Sequence, residues 1–66
     1  MKPVRDLNVG DVLTTLFPGD KKRTPRTVTH ILPRTGLHQI RTAHKANANT
    51  RELWELPSEL VVTTQN

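Results

Sequence analysis

"PRTVTHILPRTGLHQIRTAH", residues 25–44, repeats one short phrase three times. Arg26-Thr27 is followed by His30, Arg34-Thr35 by His38, and Arg41-Thr42 by His44. The stretch contains no acid. Three readings compete: a metal site, a nucleic-acid surface, or two strands written in a small vocabulary. The strand reading accounts for most of it. Threonine, valine and isoleucine suit a pleated, half-buried surface. "RTVTHIL" (26–32) and "LHQIRTA" (37–43) flank "RTG" (34–36), which fits a three-residue hairpin loop with Gly36 in the left-handed conformation. That register pairs Leu32 with His38, His30 with Ile40 and Val28 with Thr42. Val28, Leu32 and Ile40 then form the core face, with His30 and His38 among them. Thr29, Ile31, Gln39 and Arg41 take the other face. A two-residue loop would exchange the faces, because a one-residue slip flips every side chain.

The pattern extends outward from this hairpin. "DVLTTLF" (11–17) reads as a first strand, partly apolar on both faces. "PGDKKRTP" (18–25) reads as a flexible basic loop bracketed by its own breakers. "HKANANT" (44–50) is a polar turn in which Asn47 and Asn49 tolerate left-handed backbone. "RELWEL" (51–56) is a fourth strand, "PSEL" (57–60) one turn of 3₁₀ helix, and "VVTT" (61–64) a fifth strand. The last two residues are expected to fray. Prolines at 3, 18, 25, 33 and 57 leave no apolar helical stripe, so an all-β domain is expected over residues 1–66.

This order resembles a small five-stranded SH3-like β-barrel with a 3₁₀ turn before its last strand. The likeness is carried by "LNVGDVL" (7–13), similar to the opening of such barrels, and by "LWELPSELVV" (53–62), similar to their ending. Barrels of this kind include nucleic-acid-binding modules of translation, transcription and integration, and readers of peptides. Phe17 and Trp54 are the only aromatic rings, so neither the aromatic cage of the peptide readers nor a groove for proline-rich peptides is expected.

A chain of 66 residues holds one small domain, with little room for both a core and a deep cleft. The absence of cysteine excludes disulfides and thiolate metal sites. No apolar run is long enough to span a bilayer, and residues 1–11 contain no apolar leader stretch. A cytoplasmic protein without membrane contact is the expectation. The net charge of +4 is unevenly spread. Residues 1–20 carry −1, residues 21–51 carry +8 with no acid, and residues 52–66 carry −3. An acid-free basic block suits a polyanion, or else a solvated face kept for solubility.

The chemistry expected of a site follows from this. The histidine spacings of 8 and 6 match neither a helical pair nor an H-x-H strand pair, so neither metal nor cofactor is expected. Ser58 lies in a turn-forming "LPSEL", where its hydroxyl serves the backbone. Glu52 and Glu55 fall on opposite faces of a strand and cannot act as a catalytic pair. A non-enzymatic nucleic-acid-binding protein is therefore expected, contacting mainly the phosphate backbone of DNA or RNA. Its candidate contacts are Lys21, Lys22 and Arg23 in the loop, with Arg26, Arg34, Arg41 and Lys45 on and beside the hairpin. Trp54 reads as core or barrel-edge packing, with a stacking platform for a base as the alternative. The other readings are an adaptor or inhibitor docking on an acidic protein surface, and a homo-oligomeric barrel enzyme with a shared central site.

Overall fold

The computed structural model describes residues 1–65. The chain is all-β. Its elements are β1 (Lys2–Pro3), a 3₁₀ turn (Val4–Asp6), β2 (Val12–Leu13), β3 (Arg26–Pro33), β4 (Leu37–His44), β5 (Asn47–Pro57) and β6 (Val61–Val62). They form two antiparallel sheets, β2-β3-β4-β5 and β1-β6. The larger sheet curls into a half-barrel around Val4, Leu13, Val28, Ile40 and Val62, all essentially inaccessible to solvent. The closed five-stranded barrel suggested by the sequence does not form. The C-terminal strand pairs with β1, and the outer edge of β5 has no strand beside it.

The first strand is shorter than its sequence indicates. Only Val12 and Leu13 pair with β3. Beyond them, the Thr15 hydroxyl accepts the Thr63 N–H at 2.8 Å, in place of a ladder bond. "FPGD" then turns the chain away. Pro18 presets the first central position, Gly19 takes φ +88°, and the Asp20 N–H reaches the Phe17 carbonyl at 3.0 Å. The Asp20 carboxylate also accepts the Phe17 N–H, at 3.0 Å. "NVGD" at 8–11 is built alike, with Asp11 accepting the Asn8 N–H at 2.9 Å.

In the central hairpin, Gly36 has the expected positive φ, +77°, but the loop holds two residues. Arg34 N–H donates to the Leu37 carbonyl at 2.8 Å, and Pro33 pairs with His38. Each pair near the loop is thus shifted by one from the expected register: Ile31 faces Ile40, Leu32 faces Gln39, and His30 faces Arg41. A bulge at Thr29 absorbs the slip, and Val28 meets Thr42 as expected. The bulge leaves Thr29 and His30 both exposed. Ile31 turns inward to the core, and Leu32 is left 49% exposed rather than buried.

Three further expectations change. The 44–50 turn reduces to Lys45–Ala46, and among the described residues none other than glycine has positive φ, so Asn47 and Asn49 are not left-handed. Instead the Asn47 side chain accepts the Asn49 N–H. Residues 57–60 make a single turn, closed by Leu60 N–H to the Pro57 carbonyl at 3.0 Å; the 3₁₀ turn lies at Val4–Asp6. The carbonyls of Ser58 and Leu60 accept the N–H groups of Arg5 and Val4, which fixes the 57–60 turn against the N-terminal segment. Gln65 is tied down by its N–H to the Val12 carbonyl at 2.9 Å, while the expected fraying of Asn66 lies outside the described residues.

A Cβ added at Gly36 would meet nothing within 4 Å, so only the backbone resists substitution there. Gly36→Val is expected to lower unfolding free energy by more than about 1 kcal/mol in urea denaturation, because a β-branched residue is strained at positive φ. An unchanged midpoint would contradict the loop geometry.

Candidate nucleic-acid interface

The basic block does not face one way. Arg26 begins β3 on the inner face of the sheet, and its side chain is only 3% exposed. Its Nη1 and Nη2 donate to the two Asp20 oxygens at 2.9 and 2.8 Å, and its Nε donates to Glu52 Oε1 at 2.8 Å. The Phe17 and Trp54 rings stack beside it, with centroids 4.3 Å apart and planes 16° from parallel. The guanidinium carbon is 5.1 Å from one centroid and 5.4 Å from the other. Near-equal distances place it on the flank of the stacked pair, not capping an outer face. The Trp54 indole N–H donates to the Thr42 hydroxyl at 3.0 Å. Phe17 occupies one face of Trp54, and the half-buried ring packs against the core.

The "FPGD" turn explains how this cluster is assembled. A single tight turn delivers Phe17 to Trp54 and Asp20 to Arg26. The Asp20 carboxyl is held at about 2, below its ordinary 3.8. The hydrogen bonds from Arg26 are the main cause, followed by the Phe17 N–H, against an opposing push from desolvation. The same bonds, those to Asp20 first, raise the guanidinium pKa further. His44 Nε2 lies 3.2 Å from Glu52 Oε1 but off the line a hydrogen bond needs.

The other candidates divide. Lys21 and Lys22 are exposed in the 18–25 loop, and the exposed Arg23 donates to the Thr14 carbonyl at 3.0 Å. Arg34 is exposed at the β3–β4 loop. Lys45 is exposed at the β4–β5 turn, with Nζ 3.0 Å from Gln65 Oε1. Arg41 is exposed in the middle of β4, on the outer face of the sheet.

Arg41 belongs to a place where cations converge on a concavity. Two irregularities face each other there. The Thr29 bulge lies on β3; on β5, residues 48–51 are extra to the ladder between the His44–Asn47 and Thr42–Glu52 pairs. Between them is a groove of about 430 Å³ on the outer face of β4. Arg41, Arg51 and His30 line it, with the Thr29 and Thr50 hydroxyls and a floor that includes Ala43 and Leu53. Its one acid, Glu52, is already paired with Arg26. A second groove of about 330 Å³ continues along the sheet past Leu32 and Gln39. Arg51 and His30 were not among the contacts read from the sequence. Strand alternation in "RELWEL" placed Arg51 on the face of Leu53, but nothing local placed either beside Arg41.

The three histidines are dispersed. His30 is exposed beside Thr29, His38 Nδ1 is 2.8 Å from Ser58 Oγ, and His44 adjoins Glu52. Among the described residues, no three histidine or acidic side chains come together as metal ligands. No helix is long and apolar enough to cross a membrane. Compared with known proteins, the chain matches no family model, no curated sequence and no solved structure.

Two outcomes test the Arg26 cluster. Arg26→Ala strands two carboxylates, Asp20 13% and Glu52 26% exposed, and is expected to cost about 3 kcal/mol in urea denaturation. Arg26→Lys should rescue little, since an ammonium cannot reproduce the fork that joins both acids. The second outcome concerns pH. Asp20 has a lower pKa folded than unfolded, so its contribution is complete above about pH 4 and is lost as pH falls toward 2. Asp11 adds to the same trend: burial pushes it up, but Lys2 and the Asn8 N–H hold it low overall. Denaturation midpoints measured from pH 6 to pH 2 should fall in that window, and less steeply in Asp20→Asn. An equal slope in both proteins would contradict the assignment.

Proposed function

We propose that this protein binds nucleic acid without acting on it chemically, holding the phosphate backbone against the outer face of the β3-β4-β5 sheet. The supporting observation is the groove in which Arg41, Arg51 and His30 converge, its only acid, Glu52, having its carboxylate bonded to Arg26 on the inner face. A guanidinium pair on a rigid sheet matches phosphate oxygens through charge-assisted, forked hydrogen bonds. Threonine hydroxyls beside it supply further donors to phosphate or sugar. Arg34, Lys45 and the Lys21-Lys22-Arg23 loop extend the positive field beyond the groove. Arg26 is not a contact in this reading; it holds the Glu52 carboxylate on the inner face, away from the ligand. With Trp54 stacked on Phe17, contact is to backbone more than to bases, and sequence preference is weak.

One observation favours a second reading. Leu32 and Leu53, 49% and 58% exposed, share the outer face with Arg41. A surface that mixes leucine and arginine also suits an acidic protein partner, as an adaptor or inhibitor would use.

Fluorescence anisotropy against duplex DNA, single-stranded DNA and RNA at several salt concentrations separates the two. With about three to five phosphates neutralised, log K against log[salt] should fall on duplex DNA with a slope of about −3 to −4.5. Arg41→Ala with Arg51→Ala should reduce that slope by about two and weaken all sequences alike. Folding should change by no more than about 0.5 kcal/mol per site, since both side chains are exposed. Absent or salt-independent binding would favour the protein-partner reading.

A further inference from the structure

The open edge of β5 is self-complementary. Ser58 N–H donates to the Gly36 carbonyl at 3.2 Å, continuing the β4–β5 ladder one pair beyond Leu37–Pro57. Hydrogen-bonded and non-hydrogen-bonded pairs alternate along an antiparallel ladder. Leu56, Trp54 and Glu52 therefore turn their backbone groups toward β4. Leu53 and Glu55 turn theirs toward the open side, where no protein group meets them among the described residues. A free edge with unpaired N–H and C=O groups is a template for another strand.

Both ends of this edge are closed off. Pro57 sits at an outward position and has no N–H to offer. At the other end, residues 48–51 leave the ladder, and the Asn49 N–H is taken by Asn47 Oδ1 at 3.1 Å. What remains is "ELWE", residues 52–55, with Arg51 just beyond the last β4-paired residue, so that Arg51 and Glu55, of opposite charge, stand two residues to either side of Leu53. We infer that two copies of this chain pair antiparallel through this segment, about a two-fold axis at Leu53. The register places Leu53 against Leu53 of the second copy and Arg51 against its Glu55, and the reverse, on one continuous outer face. All three are exposed in the single chain. Displacing the centre by one residue would set Leu53 against Arg51 or against Glu55 and lose the opposite-charge pairs. Glu52, an inward acid that would otherwise discourage pairing, is held on the inner face by Arg26. The short edge limits association to one closed, symmetric contact rather than an open-ended sheet. Five guanidinium N–H donors let Arg51 hold the opposing carboxylate while still bordering its own groove. The inference stands independently of what the groove binds.

Sedimentation equilibrium of the full chain, from low micromolar to about 1 mM, should show a reversible monomer–dimer equilibrium. Arg51→Glu or Glu55→Arg alone sets like charges opposite each other twice per dimer and should weaken it about tenfold or more. The double variant Arg51→Glu with Glu55→Arg restores both pairs in reversed sense and should recover parental affinity. Amide hydrogen exchange gives a readout that charge effects on folding would not mimic. Leu53 and Glu55 amides should gain protection with rising concentration, whereas Glu52, Trp54 and Leu56 should be protected at every concentration. A monomer up to about 1 mM, a double variant no better than the singles, or Leu53 and Glu55 amides indifferent to concentration would each overturn the inference.

Discussion

The Arg26 guanidinium has to be satisfied on all sides before this small chain can close. It is almost wholly buried, and its bonds reach Asp20 in the loop and Glu52 in β5. Left without them, a buried cation would destabilise a domain whose total stability is only about 3–10 kcal/mol at this length. With them, three remote segments are fixed together: the loop after β2, the start of β3 and the middle of β5. The Phe17–Trp54 stack joins two of the same segments, the loop after β2 and β5, and lies beside the ion pairs. Buried ion pairs contribute little net stability, because desolvation offsets attraction. Here the pairing specifies geometry, since only one placement of "FPGD" serves both the ring and the guanidinium.

That inner cluster shapes the outer face. Glu52 borders the outer groove through β5, yet its carboxylate is drawn inward to Arg26, which it shares with Asp20. The positive field in the groove is thereby carried by Arg41, Arg51 and their neighbours. The concavity itself comes from two departures from regular pairing, one bulge on β3 and one longer insertion on β5, set on either side of β4. Bulges re-aim side chains and interrupt pairing, which is how an otherwise smooth sheet gains a groove.

The open edge follows from how the last strand is used. Val61 and Val62 pair with Lys2 and Pro3, and the carbonyls of Ser58 and Leu60 accept N–H groups from the N-terminal 3₁₀ turn. Strand β6 is consequently not available to β5, and the half-barrel stays open there. The same connection buries Val4 and Val62 in the core, so closure of the core and openness of the edge have one cause.

Local chemistry determined much of this protein directly. The two-residue period of "RELWEL" is the observed alternation of exposure in β5. The hairpin between β3 and β4 and the positive φ of Gly36 depend on a few adjacent residues, and both were legible. So was the exposure of Lys21, Lys22, Arg34, Arg41 and Lys45. The register beside the loop was not, because a two-residue loop and a compensating bulge at Thr29 leave the pairing at Val28 unchanged. The fate of Arg26 was not legible either: its partners lie 6 and 26 residues away, on opposite sides of an acid-free run. Composition counts a buried arginine and a solvated one alike. Tertiary structure alone decided between them, because burial of a charge depends on whether distant carboxylates arrive at hydrogen-bonding distance.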